Sequence, residues 1–304
     1  MRIVSLLPST TEILFDLGAG EEVVGVTFEC DHPAEARTRT IVSTSAMPEG
    51  LSPTEIDTFV VEAMRRGEDL YHLDAGALEG LEADLVVTQD LCAVCAVDVS
   101  VVDEALAHLG CEAEVLTIDP HTLDEVLGSV RTLGRATGRE DRAELLVDAL
   151  RSRLEEVVRR VAGRARPRVV VLEWTDPPFA PGHWVPEMAE LAGGTNVLGT
   201  IGAKSFRTTW ADVRDAAPEV VVCAPCGYGL ETSVELARAV AASGELPADV
   251  PVWAVDANAS FARPGPRLVD GVEALAGILH PGVVPAPPAP PAPPAPPGIA
   301  ARIR

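Results

Sequence analysis

The 304-residue sequence is short of basic residues and has no long apolar run. Its 24 Lys and Arg residues stand against 46 Asp and Glu residues, which gives a formal net charge of −22. Such a charge repels nucleic acid phosphates and anionic lipid head groups. No apolar run approaches the roughly 20 residues that span a bilayer. These absences exclude nucleic acid as a partner and insertion into a membrane.

The common catalytic motifs are also missing. The sequence has no phosphate-binding loop of the Gly-x-x-x-x-Gly-Lys-Ser/Thr type, no Gly-x-Gly-x-x-Gly turn after its first strand, and no Gly-x-Ser-x-Gly nucleophile elbow. Ser9, at the start of a predicted helix, is better explained as a helix cap than as a nucleophile. We therefore expect a binding protein and not an enzyme.

A recognisable secretory signal is absent from the printed start of the chain. Met1 and Arg2 lead directly into a strand-like apolar segment and then into a helix start, with no separate apolar stretch or cleavage site. As printed, the chain is predicted to be cytoplasmic. With a mis-set start codon, the periplasm or the cell surface would be the expected location.

One long amphipathic stretch organises the rest of the chain. Gly163 and Pro167 supply its end. We predict a long helix in the segment 139–166, tying an N-terminal α/β lobe, 1–138, to a C-terminal α/β lobe, 167–280. The apolar residues that recur with the helical period in this stretch are Leu146, Leu150, Leu154, Val157, Val158 and Val161.

Both lobes alternate short apolar strands with helices, a pattern that predicts parallel sheets. The predicted fold class is α/β, with two parallel-sheet lobes joined by one long helix and a cleft between the lobes for a ligand. The residues 281–304 contain a Pro/Ala repeat without apolar periodicity. We expect these residues to form a disordered tail.

The residues with the most distinctive chemistry follow predicted strands. In open parallel sheets, ligands bind outside the carboxyl ends of the strands. Aromatic residues make up only 4% of the chain, yet several cluster after the first strand of the second lobe, and aromatic walls suit a large flat ligand. His108 and His121, at helical or helix-start positions, are predicted to be surface residues. The candidate ligand-binding residues are Gln89, Asp90, Trp174, Phe179, His183 and Trp184.

Most of the six cysteines lie near predicted strand ends, and three interpretations of them stay open. Two Cys-x-x-Cys pairs can hold a soft metal or an iron–sulfur cluster through their thiolates. The same spacing suits a redox dithiol or a disulfide. The third interpretation is that cysteines such as Cys111 and Cys223 are small buried hydrophobic residues. The candidate metal ligands are Cys30, Cys92, Cys95 and Cys226.

Three segments of the chain carry a resemblance: the opening RIVSLLPSTTEILFDLGAGEEVVGVT, the segment VLEWTDPPFAPGHWVPEMAELAGGTNVLG after the long helix, and the later TTWADVRDAAPEVVV. They resemble the iron-siderophore and cobalamin substrate-binding proteins of ABC importers, and the cobalamin-binding branch most closely. The resemblance covers about residues 1–280. It implies a bilobal fold with one connecting helix, little hinge motion, and a corrinoid such as cobalamin, or another metal chelate, held between the lobes.

The resemblance also implies a protein partner. In this family an acidic residue on each lobe docks on arginines of an ABC permease. The matching position in the second lobe is Ala211, with Asp212 beside it, and an insertion around residues 49–72 rebuilds the region in the first lobe. We therefore predict non-catalytic binding of a corrinoid. The alternative is a cytosolic protein that binds a metal ion or an iron–sulfur cluster through its cysteines, with a redox role.

Overall fold

The computed structural model describes residues 1–68, 70–89, 113–283 and 298–304. The chain divides into two compact units, each described here by itself. The first unit comprises Met1–Pro120 and Val126–Val147, and the second comprises His121–Glu125 and Asp148–Arg304. In the described residues, each unit is built on one five-stranded sheet.

The strands of the first unit are short and mostly apolar. They are β1 (Ile3–Ser5), β2 (Val23–Val26), β3 (Thr40–Ile41), β4 (Ser43–Ser45), β5 (Tyr71–Leu73), β6 (Leu85–Thr88) and β7 (Glu114–Thr117). The sheet has the order β3-β2-β1-β6-β7, and its strands are parallel. The strands β4 and β5 form a separate antiparallel pair. Every residue of β1 and β6 is buried, as expected for central strands that are covered on both faces.

Two helix starts in the first unit illustrate what capping residues do. Ser52 and Glu55 form a capping box, in which the Glu55 carboxylate accepts a hydrogen bond from the Ser52 N–H at 2.8 Å. Ser9, in contrast, is no cap, because its helix already begins at Pro8 and the capping position falls on Leu7. In the described part of this unit, the helices are Pro8–Asp16, Pro53–Arg66, Ala75–Leu78, most of Leu123–Ala136 and the first part of Glu140–Val161, with 3-10 turns at Gly20–Glu22 and Ala34–Thr38.

The predicted long helix is confirmed. It has 22 residues, Glu140–Val161, and runs from the first unit into the second. Of the predicted apolar stripe, Leu150, Val157 and Val161 are buried. Val158 is 43% exposed, so its place in the buried stripe was predicted wrongly. The helix is shorter than the predicted segment because the residues from Ala162 onward form a turn before the next strand.

The second unit contains a five-stranded sheet and a smaller three-stranded one. Its strands are β8 (Arg168–Leu172), β9 (Trp174–Thr175), β10 (Pro178–Ala180), β11 (Thr195–Asn196), β12 (Phe206–Arg207), β13 (Val220–Cys223), β14 (Val252–Val255) and β15 (Ala300–Arg302). The larger sheet has the order β11-β8-β13-β14-β15, and all its pairs are parallel except the last. The smaller sheet, β12-β10-β9, is antiparallel.

The apolar faces of the second unit's helices cover its larger sheet. One core cluster joins the buried faces of β8, β13 and β14 to helix Leu230–Ala242 through residues such as Val170, Val221 and Ala237. Besides the second half of the long helix, the helices of this unit are Val185–Leu191, Trp210–Asp215, Leu230–Ala242, Ala257–Ser260 and Leu268–Leu279. The α/β fold class, with two parallel-sheet units and one long connecting helix, is confirmed.

Among the described residues, no helix has the length and apolar character to cross a membrane.

The end of the chain differs from the disordered tail predicted for 281–304. Residues 298–304 are described, and β15 within them pairs with β14. The prediction is therefore wrong for these residues. The neighbouring Pro/Ala repeat dominates the local composition, and a three-residue strand is too short to show a period of its own. Residues 284–297 lie outside the described part of the chain.

Candidate ligand-binding site

An indole and a phenol stack at the carboxyl end of the second unit's larger sheet. Trp174 comes shortly after β8 and Tyr228 shortly after β13, and their ring centroids are 5.7 Å apart with an interplanar angle of 24°. The Trp174 Nε1 donates a hydrogen bond to the Asp176 carbonyl at 3.1 Å, which fixes the indole. Partial burial raises the pKa of Tyr228, so its phenol is neutral at physiological pH. This half-exposed pair offers a flat apolar surface.

The smaller sheet extends this aromatic surface. Phe179 lies opposite Trp174 in the β9–β10 pair and opposite Arg207 in the β10–β12 pair. Paired residues on antiparallel strands place their side chains on the same face of the sheet. The Arg207 guanidinium lies over the Phe179 ring, 5.7 Å from its centroid. Trp174, Phe179 and Arg207 therefore form one row.

The loop that carries His183 is fastened to a neighbouring loop by backbone hydrogen bonds. The His183 N–H donates to the Ala203 carbonyl at 2.6 Å, and the Gly202 N–H donates to the His183 carbonyl at 2.9 Å. The two backbones approach so closely that a Cβ atom on Gly182 would lie 2.2 Å from the Ser205 nitrogen. His183 itself has a φ of +49°, in the left-handed region. This interlocked pair of loops fixes the backbone that carries the imidazole.

The segment His121–Glu125 packs against the same loop. The rings of His121 and His183 are 5.6 Å apart, and the Leu123 N–H donates to the Glu187 carboxylate at 2.9 Å. His121 is predicted from sequence as a surface residue, but it is half-buried here. The difference arises because the partner of His121 lies far away along the chain.

The Glu173 carboxylate joins the two interlocked loops to the end of β8. Its Oε1 accepts a hydrogen bond from the Gly182 N–H at 3.0 Å, and the Ser205 hydroxyl donates to the same carboxylate. Burial raises the pKa of Glu173 from 4.5 to about 7, against the opposing effect of these two hydrogen bonds. Glu173 therefore positions both loops and changes its charge near neutral pH.

Trp184 does not take the position in the ligand wall that the sequence predicts. Its side chain is 5% exposed, and its Nε1 donates to the Phe261 carbonyl at 2.7 Å. A buried indole N–H needs such a partner, and here the partner lies in the interior. This burial contradicts the predicted role of Trp184 and makes it a core residue that anchors the start of helix Val185–Leu191.

Two of the predicted site residues lie in the described part of the first unit, and both are buried. Gln89, directly after β6, is 5% exposed, and Cys30 is 1% exposed. The Thr11 hydroxyl donates to the Cys30 sulfur at 3.1 Å, and the Thr27 hydroxyl lies 3.2 Å from the same sulfur. In this structure the Cys30 sulfur is therefore engaged by two hydroxyl groups, and its predicted role as a metal ligand stays a prediction.

The other two cysteines that the structure describes, Cys223 and Cys226, give the metal hypothesis no support. Cys226 is exposed in the loop before Tyr228, whereas Cys223 is buried, and burial raises the pKa of Cys223 to about 12. The interpretation of Cys223 as a small core residue is thus confirmed. Among the described residues, no three His, Cys, Asp or Glu side chains are grouped so that they can hold a metal ion. The candidates Asp90, Cys92 and Cys95, together with Cys111 and His108, lie outside the described residues.

The tyrosines are the functional candidates that the sequence analysis missed. The chain has only two, and each stacks on another aromatic ring. In the first unit, the Tyr71 and Phe28 centroids are 5.9 Å apart, and the Tyr71 hydroxyl donates to the Glu29 carboxylate at 3.3 Å. The rarity of tyrosine and the position of Tyr228 just past a strand end are the signals that point to them. That residues of both units line one common cleft stays a prediction.

The chain is similar to one protein family and to a bacterial protein of known sequence. A family profile described as "Periplasmic binding protein" matches residues 3–238. An uncharacterized ABC transporter substrate-binding lipoprotein of Bacillus subtilis, YvrC, is 26% identical over 290 residues, which cover 92% of this chain and 80% of that protein. The match therefore extends over nearly the whole chain.

Solved structures share the fold at low sequence identity. A periplasmic heme-binding protein of Pseudomonas aeruginosa has a TM-score of 0.70 at 19% identity, and 93% of each chain is covered. The periplasmic vitamin B12 binding protein BtuF of Vibrio cholerae has a TM-score of 0.64 at 21% identity, covering 91% of this chain and 96% of its own. An ABC-type Fe³⁺-hydroxamate transport protein of Saccharomonospora viridis reaches 0.62 at 22%, with 92% and 93% covered. These likenesses show the fold alone.

Proposed function

The chain belongs to the periplasmic binding protein family, and from this premise we propose that it is the non-catalytic substrate-binding protein of an ABC importer. The description of the B. subtilis relative supports this role. That relative is a lipoprotein, so we also propose a location outside the cytoplasm. The cytoplasmic location expected from the printed start has no support from the comparisons.

The proposed ligand is a corrinoid, and the observation that carries this proposal is the stacked pair of Trp174 and Tyr228. Flat aromatic surfaces of this kind suit the face of a large macrocycle. The net charge of −22 disfavours strongly anionic ligands, whereas the periphery of a corrinoid consists largely of neutral amides. The V. cholerae protein, a vitamin B12 binder by its title, supports the same choice. Heme, named for the P. aeruginosa protein, is the competing ligand.

The proposed contacts combine the aromatic row with the interlocked loops. Phe179 continues the surface of the Trp174–Tyr228 pair, and the half-buried His183 is a further proposed contact, since an imidazole suits a ligand amide or a metal centre. Asp90 remains a proposed contact from the first unit, whereas Gln89 is only 5% exposed, like Trp184, and is not counted among the proposed contacts.

An ABC permease is the proposed protein partner. The Asp212 carboxylate, next to Ala211, accepts hydrogen bonds from the Thr209 hydroxyl at 2.7 Å and the Thr209 N–H at 3.1 Å. These bonds lower the pKa of Asp212, led by that from the hydroxyl. The carboxylate therefore stays ionised on the surface, and its remaining lone pairs are suited to an arginine of the permease.

Titration of the purified chain with cyanocobalamin tests the ligand, with hemin titrated in parallel. We expect a change in the visible spectrum of cobalamin and quenching of tryptophan fluorescence. Replacing Trp174 with Ala should weaken cobalamin binding by about tenfold or more, since stacking on an aromatic ring contributes on the order of 1 kcal/mol or more. The control is Trp253→Ala, which removes an indole from β14, away from these loops.

Two other outcomes have distinct meanings. If the chain binds hemin but not cobalamin, a corrinoid is the wrong ligand, while the proposed substrate-binding role stands. If neither ligand changes any signal at high micromolar concentration, the proposed site itself is wrong.

A further inference from the structure

The last described segment of the chain, Gly298–Arg304, covers the edge of β14. Its strand β15 is antiparallel to β14, with Ala300 opposite Val255 and Arg302 opposite Trp253. An uncovered edge strand presents unpaired backbone groups that act as a template for another chain.

Backbone hydrogen bonds continue on both sides of β15. The Asp256 N–H donates to the Ile299 carbonyl at 2.7 Å, and the Ile303 N–H donates to the Val252 carbonyl at 2.9 Å. The Val252 N–H in turn donates to the Arg304 carbonyl at 3.4 Å. The segment therefore uses the β14 edge over its full length, as a peptide does in β-strand addition.

The Arg304 guanidinium contacts three backbone carbonyls at once. Its Nε donates to the Val250 oxygen, its Nη1 to the Ala241 oxygen and its Nη2 to the Pro247 oxygen, each at 3.1 Å. Ala241 is in the last turn of helix Leu230–Ala242, where the helix dipole attracts a positive charge. Carbonyls brought together in this way form a pocket for one arginine.

Ile303 supplies the apolar part of the contact. Its side chain packs against the core cluster that contains Val252, Val250 and Leu246. The neighbouring Arg302, in contrast, is exposed. The side-chain contacts of the segment with the rest of the unit are thus concentrated in two adjacent residues, Ile303 and Arg304.

We propose that the β14 edge and the carbonyl pocket beside it form a docking surface for an extended peptide in which an apolar residue is followed by an arginine. The chain's own Gly298–Arg304 segment is its occupant and binds it reversibly. Reversibility follows from the small size of the contact, because a short edge strand with an exposed flank opens at a lower free energy than the core of the sheet. This surface is independent of the proposed ligand site.

A labelled peptide with the sequence GIAARIR tests the proposal on the full-length chain. In the double variant Ile303→Asp, Arg304→Ala the chain's own segment loses both anchors, and its surface is open to the peptide. Fluorescence anisotropy should show binding to this variant at least about tenfold tighter than to the parent chain, whose surface is already occupied. A peptide with Arg304→Ala should bind at least about tenfold more weakly, and one with Arg302→Ala about as well as the original.

Equal binding of the peptide to the parent and the variant, or no binding to either, would overturn the proposal. Hydrogen exchange on the parent chain gives a second measurement that does not depend on the variant's folding. We expect the Asp256 amide, which donates to Ile299, to exchange at least about tenfold faster than the Val221 amide in the central strand β13. Equal protection of the two amides would mean that β15 is a permanent strand of the sheet and would equally refute reversible docking.

Discussion

The Glu173 carboxylate accepts a hydrogen bond from the Gly182 N–H at 3.0 Å, across the gap between the end of β8 and the loop that carries His183. The same carboxylate is bonded by the Ser205 hydroxyl, and its pKa is raised by burial to about 7. The geometry of the candidate site therefore depends on one acid whose charge changes near neutral pH. Substituting Glu173 tests the electrostatic contribution to the stability of these loops, and substituting Gly182 tests the steric one.

Replacing Glu173 with Gln should raise stability at high pH only. The folded-state pKa of about 7 lies above the ordinary 4.5, so burial favours the protonated acid. The contribution of this group is fully present below about pH 4.5 and is lost as pH rises through about 7. Gln is neutral throughout and keeps an acceptor for Gly182. Denaturant titrations should give equal stabilities at pH 4.5 and a more stable variant at pH 8, and parallel pH profiles would contradict this account.

Gly182→Ala should disrupt the interlocked loops. The added Cβ would lie 2.2 Å from the Ser205 nitrogen and 2.6 Å from the Ala203 carbonyl oxygen, and a backbone neighbour cannot swing aside as a side chain does. We expect a loss of about 2 kcal/mol in the free energy of unfolding. The control is Gly229→Ala, where nothing lies within 4 Å of the new Cβ. Equal effects of the two substitutions in denaturant titrations would refute the steric explanation.

Removing Arg153 should weaken the packing of the long helix on helix Leu268–Leu279. Its guanidinium donates to Glu273 at 2.7 Å and 2.9 Å and to Asp270 at 2.5 Å, and the bonds to Glu273 contribute most to raising the pKa of Arg153. We expect Arg153→Ala to cost about 1 kcal/mol, less at high salt, because the group is partly exposed. Arg151→Ala, which removes an ion pair with the exposed Asp124, should cost under about 0.5 kcal/mol. A cost that does not change with salt concentration would argue against an ionic contribution.

Ser52→Ala should destabilise the helix Pro53–Arg66 by about 1 kcal/mol, because the capping box with Glu55 loses its side-chain acceptor. Ser52→Thr keeps the hydroxyl and should cost clearly less. Hydrogen exchange of the first-turn amides, measured beside the free energy of unfolding, locates the effect. If both variants leave the Glu55 amide as protected as in the parent chain, the cap has no energetic role.

The sequence by itself determined the elements whose causes are local. The apolar period between Leu146 and Val161 predicts the long helix, which the structure confirms. The alternation of apolar strands with helices is enough to predict parallel sheets, because parallel strands need a crossover connection. The fold class follows from such patterns and not from any single contact.

The tertiary structure alone decided what depends on partners far away along the chain. Trp174 meets Tyr228 only because β8 and β13 are neighbours in the sheet, and Trp184 is buried because the carbonyl that accepts its N–H belongs to Phe261. The final strand could not be predicted from composition either. Arg304 is held there by three backbone carbonyls that come together only in the folded chain. A local pattern specifies which face of an element is apolar, whereas burial and pairing depend on which other segment covers that face.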